Sequence, residues 1–229
     1  MRIIFVRHGK PDYKTDTLTE LGRLQAKATA ERLADEGISE IYASTMGRAM
    51  QTAEPTAELL GLPITGCDFM REVTWGSLDG SELLHSGHPW KMLPDLVAEG
   101  TDICCADWQS IEGFKNNKIG SEVKRVVSGA EAWLNSLGYR REGKYFRVIG
   151  SDTAKTVAMI SHGGASTAVL SYMFNIPFSA MCMTVRPYFC SVTVVTLSDE
   201  VGKLIMPQIE ILSDMRHVPK NEDGAIIEN

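Results

Sequence analysis

Ile3-Ile4-Phe5-Val6-Arg7-His8-Gly9 is the stretch that decides the fold, and it stands almost at the start of the sequence. Four consecutive apolar residues are typical of a parallel strand that is covered on both faces. The turn after such a strand is where open α/β sheets hold ligands. The stretch therefore predicts a buried strand with Arg7 and His8 at the mouth of a site. Taken alone, the stretch is equally consistent with a surface arginine and a capping histidine.

Strands and helices alternate after this opening. Thr17-Leu18-Thr19-Glu20 is interpreted as a capping box in which Thr17 and Glu20 satisfy each other's backbone donors, and Gly37 is expected to end that helix. Glu40-Ile41-Tyr42-Ala43-Ser44 predicts a short strand, and a helix closed by Gly61 follows it. The alternation indicates an α/β fold, with a mainly parallel central sheet flanked by helices on both faces.

The middle of the chain contains the least regular segment. Periodicity fails from about residue 75 to residue 120, which predicts an irregular lid insertion over the site. A helix over 122–137, a strand over 156–160 and a helix from about 165 to 174 are expected next, then strands over 192–197 and 204–206. The polar composition past Ser213 predicts a frayed tail at about 214–229. One domain spanning 1–229 fits this order.

Composition limits the possible functions. The net charge of −6 disfavours nucleic-acid binding, which needs a basic surface. The five cysteines form an odd set without a CxxC pair, so neither a disulfide frame nor structural zinc is expected, and buried reduced thiols are. No apolar run reaches membrane-spanning length, and no signal-peptide pattern follows Met1. A cytoplasmic protein without a membrane partner is therefore predicted.

Two apolar strands end in a histidine that is followed by glycine. These are the ends at Arg7-His8-Gly9 and Ser161-His162-Gly163. If the strands are neighbours in a parallel sheet, both imidazoles point into one crevice. Glycine after each histidine lets the backbone approach a ligand closely.

Arg48 follows the second predicted strand and opens a helix within the segment Ser44–Ala53. A cation at a helix N-terminus opposes the helix dipole. An anion bound there by free N–H groups and the guanidinium would explain its presence, and an ordinary solvated arginine is the alternative. Glu72 lies ahead of a glycine-rich turn, but nothing local distinguishes it from Asp79.

These four segments together resemble the histidine phosphatase superfamily, also called the phosphoglycerate mutase-like family. The resemblance runs from Met1 to about Phe174 and is weakest in the insertion after Glu72. It implies a parallel-sheet α/β core and cofactor-free, metal-free chemistry through a phosphohistidine. His8 would be the nucleophile and Glu72 the general acid, which later acts as base on water.

The resemblance also implies a phosphate site. Arg7 and Arg48 would clamp the phosphoryl oxygens as guanidinium forks, which lysine cannot imitate. His162 would be protonated beside the dianion and donate to it, and Gly163 would border the same oxygens. Burial under the lid is expected to raise the pKa of Glu72. The partner is then a small phosphorylated substrate.

Within the family, phosphatases and mutases differ in the residues that follow the histidines. A mutase resembling the glycolytic enzyme would carry Glu-Ser and a nearby Asn after the first Arg-His-Gly, and Asn-Ser after the second His-Gly. This chain has Lys10-Pro11-Asp12 and Gly164-Ala165. These departures favour the phosphatase branch, a histidine acid phosphatase-like phosphoric monoester hydrolase. A phosphomutase and a non-catalytic phospho-ligand-binding protein are the alternatives.

Weaker candidates follow the nucleophile or lie in the insertion. Lys10, Tyr13 and Lys14 follow the predicted nucleophile and could border the site. His85 and His88 lie three residues apart, but a metal site would need further ligands that the sequence does not supply. Trp90, Trp108 and the Cys104-Cys105 pair are interpreted as the core of the lid, with a role in specificity as the alternative.

Overall fold

The computed structural model describes residues 1–219, which contain eleven strands and six α-helices. The strands are β1 (Arg2–Arg7), β2 (Pro11–Asp12), β3 (Thr17–Leu18), β4 (Ile38–Ser44), β5 (Ile64–Cys67), β6 (Tyr139–Glu142), β7 (Tyr145–Val148), β8 (Thr156–Ser161), β9 (Val192–Thr196), β10 (Leu204–Ile205) and β11 (Gln208–Asp214). The helices are α1 (Glu20–Leu33), α2 (Gly47–Leu60), α3 (Pro89–Ala98), α4 (Ile119–Ser136), α5 (Gly163–Phe174) and α6 (Phe178–Thr184).

A six-stranded sheet in the order β11-β9-β1-β8-β4-β5 forms the centre of the fold. Strands β1, β8, β4 and β5 are parallel, whereas β9 is antiparallel to both β1 and β11. The prediction of a mainly parallel α/β sheet is therefore confirmed. Strands β10, β7 and β6 form a separate small antiparallel sheet, and β2 pairs with β3.

Both faces of the central sheet are covered by helices. In β1, Ile3 and Phe5 pack in one buried cluster with residues of α4 and α5, whereas Ile4 and Val6 pack in another with residues of α1 and α2. Successive side chains of a strand point to opposite faces, so both faces of β1 are buried. This double cover explains why the opening stretch is continuously apolar.

The carboxyl ends of β1 and β8 meet at one edge of the sheet. Arg7 pairs with Ser161 at the end of the parallel ladder, and the backbone N–H of His8 donates to the carbonyl oxygen of Ser161 at 2.8 Å. Strand β4 lies on the other side of β8 and ends at Ser44. Residues that follow these strands therefore gather at the same edge.

The predicted capping box at the start of α1 is wrong. The N-cap is Thr19, whose hydroxyl accepts from the backbone N–H of Gly22 at 3.1 Å. Thr17 instead lies in the short strand β3, where its extended backbone pairs with Asp12. Helix α1 also ends at Leu33, before the predicted stop at Gly37.

The 75–120 insertion contains more regular structure than the sequence suggested. Helix α3 starts with Pro89 at its first turn and contains Pro94, and it buries Met92, Leu93 and Leu96. Two prolines in ten residues concealed the apolar periodicity. Helix α4 begins at Ile119, three residues before its predicted start.

The segment that follows Ser213 is packed as far as the structure describes it. Met215 and Val218 are buried in a cluster with Cys190, so a frayed tail from residue 214 is wrong for these residues. The backbone N–H of Cys190 donates to the carbonyl oxygen of Arg7 at 2.9 Å, which places this packing directly behind the sheet edge. The rest of the predicted tail, 220–229, lies outside the described residues. Among the helices within 1–219, none is both long and apolar enough to cross a membrane.

Candidate active site

His8 is held at the end of β1 in a defined tautomer. Its Nδ1 lies 2.7 Å from the carbonyl oxygen of Gly9, which can only accept, so Nδ1 carries the proton. Its Nε2 accepts from Nε of Arg48 at 3.3 Å. The side chain is 1% exposed. The lone pair of Nε2 therefore faces the guanidinium group of Arg48.

Electrostatics keep His8 neutral. Burial, followed by the charge of Arg7, lowers the pKa of His8 to about 3. A neutral imidazole retains the lone pair that a nucleophile needs. Gly9 permits this arrangement, because a Cβ at that position would lie 2.6 Å from the carbonyl oxygen of Gly22.

Arg48 is buried at the N-terminus of α2 and is 5% exposed. Its Nη1 forms an ion pair with Asp16, and the other carboxylate oxygen of Asp16 accepts from the backbone N–H of Gly47 at 2.7 Å. The anion expected at this helix terminus is thus already supplied by the chain itself. Asp16 fixes the guanidinium so that Nε points at His8.

Arg7 is held by residues of the turn between α6 and β9. Its Nη1 donates to the carbonyl oxygen of Pro187 at 2.7 Å, and its guanidinium carbon lies 4.1 Å from the ring centroid of Phe189. Its Nε is buried without a hydrogen-bond partner among the described residues. Burial lowers the pKa of Arg7, and the Glu72 carboxylate opposes that effect. A donor without an acceptor in a buried site is suited to an anionic ligand.

His162 lies beside His8, with 5.1 Å between the ring centroids. Its Nε2 is 2.8 Å from Oγ of Ser44, and its Nδ1 is buried without a partner in the described part of the chain. Burial, and then the proximity of His8 and Arg48, lowers the pKa of His162. This lowering describes the site without a ligand, so the protonated imidazole expected beside a bound dianion stays a prediction. A bound dianion would act in the opposite direction.

Glu72 lies against the N-terminus of α5. Its carboxylate accepts from the backbone N–H of Val73 at 3.0 Å, of Ala165 at 3.0 Å and of Gly164 at 3.4 Å. Burial raises the pKa of Glu72, although these three donors and Arg7 lower it in part. The structure thus gives the predicted direction, a raised pKa of Glu72.

Gly164 is the glycine that this contact requires. A Cβ at residue 164 would lie 2.3 Å from Cγ2 of Val73 and 2.7 Å from Oε1 of Glu72. Gly163, which the sequence singled out, lines the same cavity but would tolerate a Cβ at ordinary contact distance. The close approach of the Glu72 carboxylate therefore explains why residue 164 is glycine.

The predicted catalytic residues share one location at the carboxyl edge of the sheet. We call Arg7, His8, Arg48, Glu72 and His162 the strand-end cluster. Three of them, Arg7, Arg48 and Glu72, line a cavity of about 680 Å³. The five residues come from four separate segments of the sequence, and the parallel pairing of β1, β8, β4 and β5 brings these segments together.

The outer part of this cavity combines residues of the predicted lid insertion with residues that the sequence did not single out. We call its more exposed lining residues the outer wall, and they are Tyr13, Trp75, His88, Trp90, Arg186 and Tyr188. Of the three residues expected to border the site, Tyr13 lines the cavity, whereas Lys10 and Lys14 are not among its lining residues. His88 was considered only for a metal site and Trp90 was interpreted as lid core, and Arg186 and Tyr188 carried no signal. Both come from the turn between α6 and β9, which Pro187 and Phe189 hold against Arg7 at the end of β1.

Other candidates fall outside the site. His85 pairs with Asp95 at 2.7 Å, and Trp108 is buried in the main core as expected. All five cysteines are free, but Cys104 is exposed, so the expectation of a buried thiol is wrong there. Within residues 1–219, no group of three or more His, Cys, Asp or Glu side chains is placed to hold a metal ion.

Fold and site together define an α/β protein whose ligand site lies at the carboxyl ends of parallel strands. A family model described as "Histidine phosphatase superfamily (branch 1)" matches residues 3–208. The chain belongs to the histidine phosphatase superfamily, as its motifs predicted.

Similar proteins carry the names of phosphatases and of a mutase. A Schizosaccharomyces pombe protein named a probable phosphatase is 37% identical over 105 residues, which cover 39% of this chain and 50% of that protein. The chain thus spans about half the length of that relative. A Yersinia pestis protein named a probable phosphoglycerate mutase is 24% identical over 93% of this chain and 99% of its own length.

Solved structures share the fold at low sequence identity. A mycobacterial glucosyl-3-phosphoglycerate phosphatase has a TM-score of 0.62 at 22% identity, covering 93% of this chain and 98% of its own. A phosphoserine phosphatase from Entamoeba histolytica, solved with 3-phosphoglyceric acid, has a TM-score of 0.61 at 18% identity, covering 94% and 98%. Each is similar in architecture to this chain.

Proposed function

We propose that this protein hydrolyses small phosphomonoesters through a covalent phosphohistidine on His8. The observation that carries the proposal is the fixed tautomer of His8, in which Nδ1 donates to Gly9 and the Nε2 lone pair faces Arg48. A neutral imidazole held in this way is ready for attack on phosphorus.

The strand-end cluster supplies the charge that the reaction needs. A phosphomonoester dianion repels a nucleophile unless fixed cations spread its charge. Nε of Arg7 is a buried donor and Nδ1 of His162 is a buried ring nitrogen, and neither has a partner among the described residues. A phosphoryl group would accept from Nε of Arg7 and from a protonated Nδ1 of His162. The same group would draw Nε of Arg48 from His8 onto a phosphoryl oxygen and so release the lone pair.

The proposed reaction proceeds in two steps. Nε2 of His8 forms a bond to phosphorus while the bond from phosphorus to the leaving oxygen breaks, and protonated Glu72 gives its proton to that oxygen. Water then attacks phosphorus, Glu72 takes a proton from the water, and the bond to His8 breaks to release inorganic phosphate. The raised pKa of Glu72 favours the protonated form that the first step requires.

Two guanidinium groups perform the charge stabilisation, so the proposed chemistry needs no metal ion. A chelator should leave the rate of hydrolysis unchanged. A loss of activity that added metal restores would contradict this part of the proposal.

Hydrolysis is favoured over phosphate transfer between substrate hydroxyls by the contact at Gly164. The asparagine expected at this position in a mutase would place its Cβ 2.3 Å from Cγ2 of Val73. The similarity to a protein named a probable phosphoglycerate mutase keeps the mutase as the second candidate.

Product analysis with 3-phosphoglycerate and rapid quenching with a labelled phosphomonoester together test the proposal. Release of inorganic phosphate and an acid-labile phosphoenzyme are expected. Interconversion of phosphoglycerate isomers without phosphate release would indicate the mutase. Tight phosphate binding without any phosphoenzyme or turnover would indicate a non-catalytic binding protein.

A further inference from the structure

The cavity is larger than the phosphate site at its buried end. Its volume of about 680 Å³ lies in the range of roughly 300–1,000 Å³ that is usual for sites of drug-sized ligands. The strand-end cluster accounts for the phosphoryl group, and the outer wall is left for the remainder of the substrate. The chemistry of the outer wall therefore indicates what that remainder is.

Three planar side chains from the 75–120 insertion form a continuous ring cluster on this wall. The ring centroids of Trp75 and His88 are 4.3 Å apart, and those of His88 and Trp90 are 5.9 Å apart in an edge-to-face arrangement. All three line the cavity, and Trp75 is 37% exposed. An exposed indole next to a phosphate site presents a flat apolar face on which another ring can stack.

A separate segment adds a cation to the outer wall. The guanidinium carbon of Arg186 lies 4.9 Å from the ring centroid of Tyr188, and both residues line the cavity. Arg186 is exposed, and no carboxylate among the described residues lies within 4.0 Å of its nitrogen atoms. It differs in this respect from Arg48, which has Asp16. A guanidinium held by ring stacking keeps its donors available for an anion.

We propose that the substrate of this site is a phosphomonoester whose leaving group carries an aromatic ring and a second anionic substituent. The ring packs on Trp75 within the aromatic cluster, and Arg186 binds the second anion. This inference rests on the proposed function and specifies its substrate class.

A phosphate ester of a short hydroxy acid fits these features less well. Phosphoserine and phosphoglycerate would place polar groups against Trp75 and leave the flat ring surface unmatched. A planar apolar group covers that surface and removes it from water, which stabilises the complex. The second anion is then needed to match Arg186.

Matched substrates separate ring stacking from leaving-group reactivity. Benzyl phosphate and cyclohexylmethyl phosphate have primary alkoxide leaving groups of similar size and differ in the planarity of the ring. We expect kcat/KM to be about tenfold higher for benzyl phosphate. The Trp75→Leu variant should reduce that ratio to about twofold or less, because it removes the flat surface that distinguishes the two rings.

A second matched pair tests the anion. We expect 4-carboxybenzyl phosphate to exceed 4-carbamoylbenzyl phosphate in kcat/KM by about tenfold, because a charge-assisted hydrogen bond is stronger than a neutral one. Arg186→Gln should remove this preference. The control Lys27→Gln makes the same charge change on the exposed face of α1 and should retain it.

Equal rates for benzyl and cyclohexylmethyl phosphate, or a carboxylate preference that survives Arg186→Gln, would overturn the inference. Inhibition of the unmodified protein by the corresponding phosphonates gives the same ranking without relying on a variant. Hydrolysis of all four esters without preference would contradict the substrate class alone. No hydrolysis and no phosphoenzyme with any ester would contradict the proposed function as well.

Discussion

Arg48 and Arg186 line the same cavity, yet their surroundings are opposite. Arg48 is 5% exposed and is fixed by Asp16 and His8. Arg186 is exposed and is held by stacking on Tyr188. Burial with several partners defines one geometry, whereas stacking in solvent permits several. The contrast indicates that the strand-end cluster is built for one fixed group and the outer wall for a variable one.

The largest expected effect is that of His8→Asn. Removal of the nucleophile should lower kcat/KM by on the order of 10⁴-fold or more and abolish the acid-labile phosphoenzyme. Measurement uses phosphate release from benzyl phosphate. His85→Asn is the matched control, because His85 lies outside the site with a φ of +48°, which asparagine tolerates. Full activity of the His8→Asn variant would contradict the assignment of His8 as the nucleophile.

Glu72→Gln should have the next largest effect. Loss of the general acid should lower kcat/KM for benzyl phosphate by about 10²–10⁴-fold. The loss should be far smaller for 4-nitrophenyl phosphate, whose leaving group needs no proton. Glu58→Gln on the exposed side of α2 is the control. An equal loss with both substrates would mean that Glu72 binds substrate and transfers no proton.

The pH profiles of the unmodified protein and of the Glu72→Gln variant give a second test of proton transfer by Glu72. Burial raises the pKa of this carboxyl above its ordinary value of 4.5, so the protonated acid persists to higher pH. The rate for benzyl phosphate should fall as pH rises through that raised pKa, and this limb should be missing in Glu72→Gln. The acid limb from His8 should appear below pH 4, since the pKa of His8 is about 3.

Asp16→Asn should have an intermediate effect through Arg48. Asp16 is a positioning residue that holds the guanidinium and the backbone N–H of Gly47. Its loss should reduce kcat by on the order of 10-fold because Arg48 is misplaced. Inorganic phosphate should inhibit at least as tightly as before, since a negative charge near the anion is removed. Asp35→Asn is the control, and weaker phosphate inhibition with unchanged kcat would contradict positioning.

The smallest effect concerns stability. The pKa of His8 is lowered from 6.5 to about 3 in the folded protein, so the unfolded chain binds more protons below pH 6.5. Stability should fall as pH drops from 7 to 5, and His8 should account for about 2 kcal/mol of that loss. Urea unfolding of His8→Asn should show a correspondingly weaker pH dependence. Parallel curves for this variant and His85→Asn would contradict a buried neutral His8.

Local patterns in the sequence were sufficient to place His8 and His162, whereas Glu72 was assigned only through the family resemblance. A continuous apolar strand predicts burial on both faces, and the residue after it must then lie at the sheet edge, so His8 and His162 could be placed together. The start of α1 was misjudged because Thr17 and Thr19 are equally good caps, and the pairing of β2 with β3 decides between them. Helix α3 was missed because prolines interrupt its periodicity.

Contacts between distant segments determined the rest. Asp16 takes the place of the expected anion at α2, and Arg186 reaches the cavity from a turn that carries no motif. Both positions depend on how loops fold back over the sheet edge, and loop paths leave no periodic signal in a sequence. The sequence by itself therefore determined the family and named the residues that we propose for phosphate chemistry. The tertiary structure alone decided which side chains hold them in place and which surface the remainder of a substrate would contact.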